Sequence, residues 1–458
     1  MTTIVVHPQE KPLVGSVPVP SDKSIGHRAL LFASLCEGTS NIKAFSYGED
    51  NVSTANAMRA MGAVIEDVSP ARKEGQPGEL RVTGTGLYGL KAPAAPLDCG
   101  NSGTTMRLLT GILSAQTFAS TLIGDASLSR RPMMRVVGPL RSRGAKIEGK
   151  PHPTKAGDIL PPLQVGPLPD GTYLSALEYE SPVASAQIKS ALLLSGLFAH
   201  GTTYLKEPTL SRDHTERMMH ALGVPLRAVG TVVELDPAGW NGVMPAFEIE
   251  IPGDASAAAF LVVAAQLVDG SRVTVRGVGT NPTRTGLFEI ARLMGGGLEI
   301  VPQGEQAGEP IAEINAWRQP LRGMLVGGEV VPRAIDEIPI ACALAARAIG
   351  TTTIRDAEEL RVKESDRIAT MATVLRAFGV TCEELPDGLV IEGRESPLAP
   401  ATIDSRGDHR IAMTAAVLAL CASGPTTITD CDCIATSFPR FVGTLRALGA
   451  RVDVSPSS

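Results

Sequence analysis

The segment Ala60-Met61-Gly62-Ala63-Val64-Ile65 sets the pattern of the whole chain. It ends a helical pattern, places a glycine where a helix C-terminus favours one, and continues into an apolar extended stretch. Five further segments have the same layout, with their glycines at Gly144, Gly223, Gly295, Gly379 and Gly449. Spacings of 70 to 84 residues between the six glycines predict six copies of one folding unit.

A second, more apolar type of helix is predicted between these glycines. In five copies it ends in glycine followed by Thr, Ser or Pro, at Gly38-Thr39, Gly201-Thr202, Gly270-Ser271, Gly350-Thr351 and Gly424-Pro425. The second copy differs and has Gln116-Thr117. Two helices with strands between them, repeated six times, predict an α/β protein, and a strand at 248–251 running into Pro252-Gly253 marks the best domain boundary.

Composition limits what the chain binds. Its 458 residues exceed the size of a single growing core, so at least two domains are expected. Only 4% of residues are aromatic and the formal net charge is -6, which argues against nucleic acid and anionic membranes as partners. Any anionic ligand must therefore be held by a local cluster of cations.

Targeting and cysteine patterns predict a cytoplasmic protein without metal. No apolar run reaches the length of a membrane span, and residues 1–10 lack the features of a secretion signal. Seven scattered cysteines, without ligand spacing, predict reduced and mostly buried thiols.

The stretch Arg361-Val362-Lys363-Glu364-Ser365-Asp366-Arg367 precedes apolar residues at helical spacing that end at Gly379. It predicts a helix whose first turn is crowded with charge. Cations there oppose the helix dipole, so Lys363 and Arg367 suggest a bound anion. The segment 21–28 has the same layout, with Ser21 or Asp22 as the cap and Lys23 in the first turn. A solvated polar turn is the alternative for any one helix, but the recurrence favours a common ligand.

Taken together, the motifs resemble the EPSP synthase family of enolpyruvyl transferases, in its divergent, class II-like branch. The matching stretches cover nearly the whole chain: Ser21-Asp22-Lys23-Ser24, Gly100-Asn101-Ser102-Gly103-Thr104, Arg130-Arg131-Pro132, Ser185-Ala186-Gln187, Pro252-Gly253-Asp254, Asp336-Glu337, the stretch 361–367, Asp408-His409-Arg410 and Thr436-Ser437-Phe438-Pro439. The resemblance implies a two-domain α/β fold with three βαβαββ units per domain, an inside-out α/β barrel, and an active site in the interdomain cleft. The implied domains are residues 21–251 and residues 1–20 plus 252–458.

The resemblance also implies an activity. Members of the family transfer the enolpyruvyl group of phosphoenolpyruvate to the 5-hydroxyl of shikimate 3-phosphate, a step in the shikimate pathway to chorismate and the aromatic amino acids. No cofactor or metal is implied, and a monomer is expected. Two phosphates and two carboxylates must lie close together, which suits cations gathered at helix N-termini.

Carried over residue by residue, the resemblance predicts two overlapping binding sets. The phosphoenolpyruvate set is Lys23, Gly103, Arg131, Gln187, Arg367 and Arg410. The shikimate 3-phosphate set is Lys23, Ser24, Arg28, Ser185, Ala186, Gln187, Arg212, Asp336 and Lys363. Asp336 is predicted as the base and Glu364 as the proton donor, with Lys363 near the 5-hydroxyl.

Several alternatives stay open at this stage. The sequence leaves open which of Asp336, Lys363 and Glu364 has the environment of a base or of an acid. Arg131 could instead pair with Asp125, and Asp336 could simply cap a helix.

Two positions depart from the pattern of many members of the family. Thr436 stands where those members carry a phosphate-binding lysine, and Arg212 replaces a Lys-Pro-Tyr-like segment. Both departures resemble glyphosate-tolerant enzymes, whereas Gly103 keeps the position that leaves room for glyphosate. Inhibition by glyphosate is therefore expected.

Two rival functions are less consistent with the motifs. The related transferase acting on UDP-N-acetylglucosamine carries a reactive cysteine on a loop; here Cys99 abuts the Asn-Ser-Gly motif but lacks a basic loop. A non-catalytic RNA-end-binding protein on the same repeat would need a basic, aromatic surface.

Overall fold

The computed structural model describes residues 2–70, 76–306 and 308–456. Up to residue 251 the strands and helices are β1 (Thr2–Val6), β2 (Val14–Pro18), α1 (Lys23–Leu35), β3 (Thr39–Phe45), α2 (Glu49–Ala60), β4 (Val64–Asp67), β5 (Gly78–Thr83), β6 (Leu97–Asp98), α3 (Gly103–Leu113), β7 (Ser120–Ile123), α4 (Met134–Ser142), β8 (Ile147–Pro151), β9 (Ile159–Val165), β10 (Leu174–Glu180), α5 (Ala186–Gly196), β11 (Ala199–Lys206), α6 (His214–Ala221), β12 (Leu226–Val229), β13 (Val232–Leu235) and β14 (Glu248–Glu250).

Beyond residue 251 they are α7 (Ala255–Leu267), β15 (Arg272–Gly279), α8 (Gly286–Leu293), β16 (Gly297–Gln306), β17 (Glu309–Trp317), β18 (Leu325–Val326), α9 (Val330–Ala334), α10 (Ile338–Ala346), β19 (Thr351–Ile354), α11 (Arg367–Ala377), β20 (Cys382–Leu385), β21 (Gly388–Glu392), β22 (Thr402–Asp404), α12 (His409–Ala419), β23 (Thr426–Thr429), α13 (Phe441–Ala447) and β24 (Val452–Pro456). Short 3-10 turns lie at Leu128–Arg130, Glu358–Val362 and Cys431–Thr436.

Within the described residues, the strands form six four-stranded sheets of one design. The strand orders are β14-β3-β5-β4, β6-β7-β9-β8, β10-β11-β13-β12, β2-β15-β17-β16, β18-β19-β21-β20 and β22-β23-β1-β24. In each of these orders the first two strands run parallel to each other. The neighbouring strand pairs described further along each sheet are antiparallel. This arrangement confirms the six repeated units predicted from the glycine spacing and the βαβαββ unit that the family resemblance implies.

The six repeated glycines end six helices in the same way. Each has a positive φ, between 74° and 109°, which glycine adopts without the steric cost of a Cβ atom. At every copy the glycine N–H bonds the carbonyl three residues back, and the following N–H bonds the carbonyl five residues before it, as in Gly62 to Arg59 and Ala63 to Met58. These are the two bonds of a Schellman motif, which turns the chain from helix into strand.

An arginine three residues before the glycine reinforces four of these turns. The Arg59, Arg141, Arg376 and Arg446 side chains donate to the carbonyls of Ile65, Ile147, Cys382 and Val452, respectively. A cation in the last helical turn also complements the helix dipole. These four arginines therefore have a structural role, unlike the cations at the helix starts.

The described chain divides into two compact units. The unit that we call C-terminal contains Met1–Pro20, Pro252–Glu305 and Pro310–Ser458, and the N-terminal unit contains Ser21–Ile251 and Gln306–Glu309. The sequence-based division differs at these last four residues, which it assigns to the C-terminal domain. Strands β1 and β2 belong to sheets of the C-terminal unit, where they pair with β23, β24 and β15.

Three helices in each unit form its core. Helices α1, α3 and α5 are mostly buried in the N-terminal unit, and α7, α10 and α12 are buried throughout in the C-terminal unit. Such helices are apolar around most of their circumference because they contact protein on all sides. Their first turns carry six of the predicted site residues: Lys23, Ser24, Gly103, Ala186, Gln187 and Arg410.

Candidate active site

Helix α1 carries the first predicted ligands of the N-terminal unit. Asp22 caps it by accepting a hydrogen bond from the Ile25 N–H at 2.9 Å, so Lys23 stands in the first turn as predicted. The Lys23 ammonium lies 2.8 Å from an Asp50 carboxylate oxygen. Asp50 holds the cation at the helix start, where the helix dipole alone would disfavour it.

Arg28, one turn further along α1, lies inside the protein. Its guanidinium donates to the hydroxyls of Thr215 and Ser190, both at 2.7 Å, and to the Ser24 carbonyl at 2.9 Å. Burial lowers the pKa of Arg28 to about 10, against the opposing effect of nearby carboxylates. Arg28 therefore stays protonated at neutral pH. Arg212, another predicted ligand, is close enough to contribute to this lowering of the Arg28 pKa.

The first turns of α3 and α5 meet through Gln187. Its side-chain amide donates to the Thr104 hydroxyl at 2.9 Å, and its carbonyl accepts from Arg107 Nη1 at 2.6 Å. A methyl group at Gly103 would lie 2.7 Å from Arg107 Nη1 and 3.1 Å from Arg131 Nη1. Gly103 is thus surrounded by two guanidinium groups.

Arg131 follows a 3-10 turn and contacts the loop before α3. Arg131 Nη2 donates to the Asn101 side-chain carbonyl at 2.7 Å, and the Asn101 amide donates to Asp125 at 2.6 Å. Asn101 therefore links the guanidinium to Asp125, the residue considered above as a partner. This chain of bonds orients Arg131 beside Gly103.

In the C-terminal unit, helix α11 begins later than the sequence predicts. The stretch 361–367 does not begin a helix at its first charged residues, because Glu358–Val362 is a 3-10 turn and Lys363 has an extended backbone. Asp366 caps α11 by accepting from the Ala369 N–H at 3.0 Å. Of the two predicted cations, Arg367 alone stands in the first turn. The prediction for Lys363 is wrong because Asp366 is a strong N-cap and sets the helix start after itself.

Arg367 lies among three carboxylates. Its nitrogens approach Asp408 at 2.8 Å, Glu364 at 2.6 Å and Asp336 at 3.4 Å, and its side chain is 2% exposed. Burial opposes its charge, but the carboxylates outweigh burial and raise the pKa of Arg367 above its ordinary value. Arg367 is therefore a permanent cation that holds the starts of α10, α11 and α12 together.

Asp336 is surrounded by cations. Its carboxylate lies 3.6 Å from Lys363 Nζ, 3.4 Å from Arg367 Nη1 and 3.9 Å from Arg410 Nη2. The cap of α10 is Glu337, so the interpretation of Asp336 as a plain N-cap is wrong. A carboxylate among cations is the environment expected for a base that works in its ionised form.

Lys363 and Glu364 lie beside this carboxylate group. Lys363 contacts Glu359 at 3.0 Å in addition to Asp336. Glu364 shares Arg367 Nη2 with Asp408, so it has a second carboxylate as a neighbour. The nearest group to the Glu364 carboxylate is the Arg367 guanidinium at 2.6 Å, and the role of Glu364 as the acid stays a prediction.

Arg410 is held by a buried polar network that the sequence did not reveal. Arg410 Nη1 donates to the Asp336 carbonyl at 2.7 Å and to Glu337 at 3.1 Å. The Ser256 hydroxyl donates to the same Glu337 carboxylate and accepts from Arg284, which also contacts Asp254. These bonds join the starts of α7, α10 and α12. In the sequence, the motifs Pro252-Gly253-Asp254 and Asp336-Glu337 were the only indication of this network.

The role of Asp408 was also missed by the sequence analysis. It caps α12 through the Arg410 N–H at 3.0 Å, accepts from Ser365 at 3.0 Å and pairs with Arg367. Burial alone would raise the pKa of Asp408, but the charge of Arg367 outweighs burial and keeps that pKa below its ordinary value. Its place beside His409-Arg410 was visible in sequence, but its pairing with a residue 41 positions away was not.

We expect Asp408→Asn to lower the free energy of unfolding by about 3 kcal/mol at pH 7, because Arg367 would lose its buried partner. The lowered pKa of Asp408 stabilises the folded state at every pH above the ordinary pKa of an aspartate. This stabilisation is lost as the pH falls through the pKa that Asp408 has in the folded state. The difference between the two proteins, measured by urea unfolding, should be constant at neutral pH and shrink in acid. A difference that grows in acid would contradict this assignment.

The cysteines were considered above as possible reactive or metal-binding groups. All seven cysteines are free thiols, and Cys99 is fully buried. Burial raises the pKa of the Cys99 thiol, which disfavours the reactive thiolate. Among the described residues no cluster of His, Cys, Asp and Glu could hold a metal ion.

Thr436 ends a 3-10 turn and donates to the Cys433 carbonyl at 2.7 Å.

Fold comparison defines the class of protein. The enolpyruvyl transferase NikO from Streptomyces tendae has a TM-score of 0.75 at 17% identity, covering 100% of this chain and 99% of that one. An EPSP synthase from Acinetobacter baumannii has a TM-score of 0.85 at 42% identity, with both chains covered completely. The chain therefore has the two-domain enolpyruvyl transferase fold.

Sequence comparison then gives the family. The EPSP synthase (3-phosphoshikimate 1-carboxyvinyltransferase) family matches residues 8–445. A 3-phosphoshikimate 1-carboxyvinyltransferase of Geobacter metallireducens is 49% identical over 98% of this chain and 100% of its own. One of Methylococcus capsulatus is 47% identical over 96% of both chains. The chain belongs to the EPSP synthase family.

Proposed function

We propose that the chain transfers the enolpyruvyl group of phosphoenolpyruvate to the 5-hydroxyl of shikimate 3-phosphate, releasing phosphate. The main support is the arrangement around Asp336, where one carboxylate lies within 4 Å of Lys363, Arg367 and Arg410. Such a group offers a base and several cations to a pair of anionic substrates. Family membership and relatives of that name support the same activity.

The proposed roles follow the two binding sets. Phosphoenolpyruvate is bound by Lys23, Gly103, Arg131, Gln187, Arg367 and Arg410. Shikimate 3-phosphate is bound by Lys23, Ser24, Arg28, Ser185, Ala186, Gln187, Arg212, Asp336 and Lys363. The cations neutralise phosphates and carboxylates that would otherwise repel each other, and fixed donors lower the energy of the charge that develops during reaction.

The proposed chemistry uses two carboxyl groups. Asp336 takes the proton of the 5-hydroxyl as its oxygen attacks C2 of phosphoenolpyruvate, and Lys363 keeps that hydroxyl in place. Glu364 delivers a proton to C3, which gives a tetrahedral intermediate. The C2–O bond to phosphate then breaks as C3 loses a proton, so that the enol ether and phosphate leave.

The test is phosphate release from phosphoenolpyruvate by the purified protein. We expect release only when shikimate 3-phosphate is present, and its loss in Lys23→Ala. Lys43→Ala is the matched control because Lys43 pairs with Glu248 at an exposed position. Turnover with UDP-N-acetylglucosamine instead would show that the substrate assignment is wrong; the buried Cys99 argues against that alternative.

We predict that glyphosate inhibits the enzyme and that Gly103→Ala weakens the inhibition by about tenfold or more. The added methyl group would crowd the inhibitor's phosphonate and displace the guanidinium ends of Arg107 and Arg131. Both contacts are the ends of long side chains and not backbone atoms, so the variant should fold. Concentration–inhibition curves measure the effect. Gly443→Ala is the control, because a Cβ there would meet nothing within 4 Å. Equal inhibition of Gly103→Ala and the native enzyme would refute the idea.

The proposal also includes a cytoplasmic monomer. No helix within the described residues is long and apolar enough to cross a membrane. The net charge of -6 does not favour association with nucleic acid. Light scattering of the purified protein would measure its mass in solution.

A further inference from the structure

A buried carboxylate, Glu207, connects two parts of the N-terminal unit that carry proposed shikimate 3-phosphate ligands. Glu207 directly follows strand β11 and is 4% exposed. One of its oxygens, Oε1, accepts from the backbone N–H of Ser185 at 2.9 Å. The Ser185 side chain makes no capping bond to α5, so this backbone bond to Glu207 fixes the residue before the helix.

The other oxygen of Glu207 holds the second segment. Oε2 accepts from the Ser211 hydroxyl at 2.9 Å and from the Ser211 N–H at 3.3 Å. Ser211 immediately precedes Arg212, the proposed cation on the shikimate side. Ser185 and Arg212 are each partly exposed, whereas Glu207 and Ser211 are buried. A single carboxylate therefore fixes the backbone beneath both.

Lys189 makes this buried carboxylate tolerable. Its ammonium lies 2.8 Å from Glu207 Oε2 and 2.8 Å from Glu216 Oε1. Burial lowers the pKa of Lys189, but the two carboxylates more than compensate and raise it above the ordinary value. Lys189 therefore stays charged. Glu216 gives a matched comparison, because it contacts the same ammonium from helix α6 and not from the segment after β11.

We propose that Glu207 is a positioning residue for shikimate 3-phosphate, acting through the Ser185 backbone and the 211–212 segment. This inference depends on the proposed function. Glutamine cannot reproduce both sets of bonds, because its NH₂ group would face donors on one side. One of the two segments would then lose its fixed position, and the ligand groups that it carries would be displaced from the substrate. A misplacement of about 1 Å can cost an enzyme about a hundredfold.

The experiment compares steady-state kinetics of four proteins with both substrates varied. For Glu207→Gln we expect the KM for shikimate 3-phosphate to rise about tenfold or more, with the KM for phosphoenolpyruvate changed less than about twofold. Glu216→Gln removes a carboxylate from the same lysine and should raise the KM for shikimate 3-phosphate far less. Ser211→Ala keeps the N–H bond but loses the hydroxyl bond, so it should show a smaller rise with the same selectivity.

The outcomes separate the two claims. A native enzyme inactive with both substrates overturns the proposed function itself. If the native enzyme is active, equal increases in both KM values, or equal effects of Glu207→Gln and Glu216→Gln, overturn the positioning role alone. If Glu207→Gln does not fold, Ser211→Ala decides the matter, and an unchanged KM for shikimate 3-phosphate in that variant overturns it.

Discussion

Replacing Asp336 by asparagine is expected to lower kcat by about a thousandfold, within the range of general acid–base catalysis. Asparagine has nearly the same shape but cannot accept the proton of the 5-hydroxyl. It also removes the negative charge that Lys363, Arg367 and Arg410 share. Those cations would then be freer to bind anions, so substrate affinity should not fall in parallel with kcat.

Steady-state measurements of phosphate release with both substrates saturating test this expectation. Asp269→Asn is the control, because Asp269 is an almost fully exposed carboxylate paired with Arg318 at 3.3 Å. It should keep native kcat. If Asp336→Asn retains more than about a tenth of native kcat, the proton transfer must be assigned to another residue.

The second large effect is expected for Arg367→Lys. Lysine keeps the charge but cannot reach Asp408, Glu364 and Asp336 at once, because it lacks the planar fork of the guanidinium. We expect affinity for phosphoenolpyruvate to fall about tenfold to a hundredfold, which corresponds to one charge-assisted hydrogen bond. Affinity for shikimate 3-phosphate should change much less. With Thr436 in place of a phosphate-binding lysine, each remaining cation matters more.

Separate calorimetric titrations of the two substrates measure these affinities. Arg376→Lys, on the same helix, is the matched control because Arg376 bonds the Cys382 carbonyl instead of a carboxylate. It should bind both substrates normally. An equal loss for both substrates in Arg367→Lys would mean that the substitution disturbs the whole site, and the assignment to phosphoenolpyruvate would fail.

The repeat was predictable because its signals are local. A glycine at a helix C-terminus is required by backbone sterics, so Gly62, Gly379 and their four counterparts mark each turn in the sequence itself. The Asp22 cap and Lys23 in the first turn of α1 were predictable for the same reason. Sequence resemblance supplied the family, which the comparisons confirmed.

The start of α11 was harder to predict. Any of several polar residues between 361 and 366 could cap a helix, and only the folded chain selects Asp366. Arg361 bonds Asp366 and Glu384, which stabilises the non-helical segment before the cap. That segment is why Lys363 can reach Asp336 instead of pointing outward from a first helical turn.

By itself, the sequence determined the six-fold repeat, the class of fold, the family and the residues that carry charge. Tertiary structure alone decided their partners: Asp408 for Arg367, Glu337 for Arg410, and Glu207 for Ser185 and Ser211. The reason is physical. Helix caps and turns depend on neighbours within a few residues, whereas a buried charge is stable only beside a partner that folding brings from a distant part of the chain.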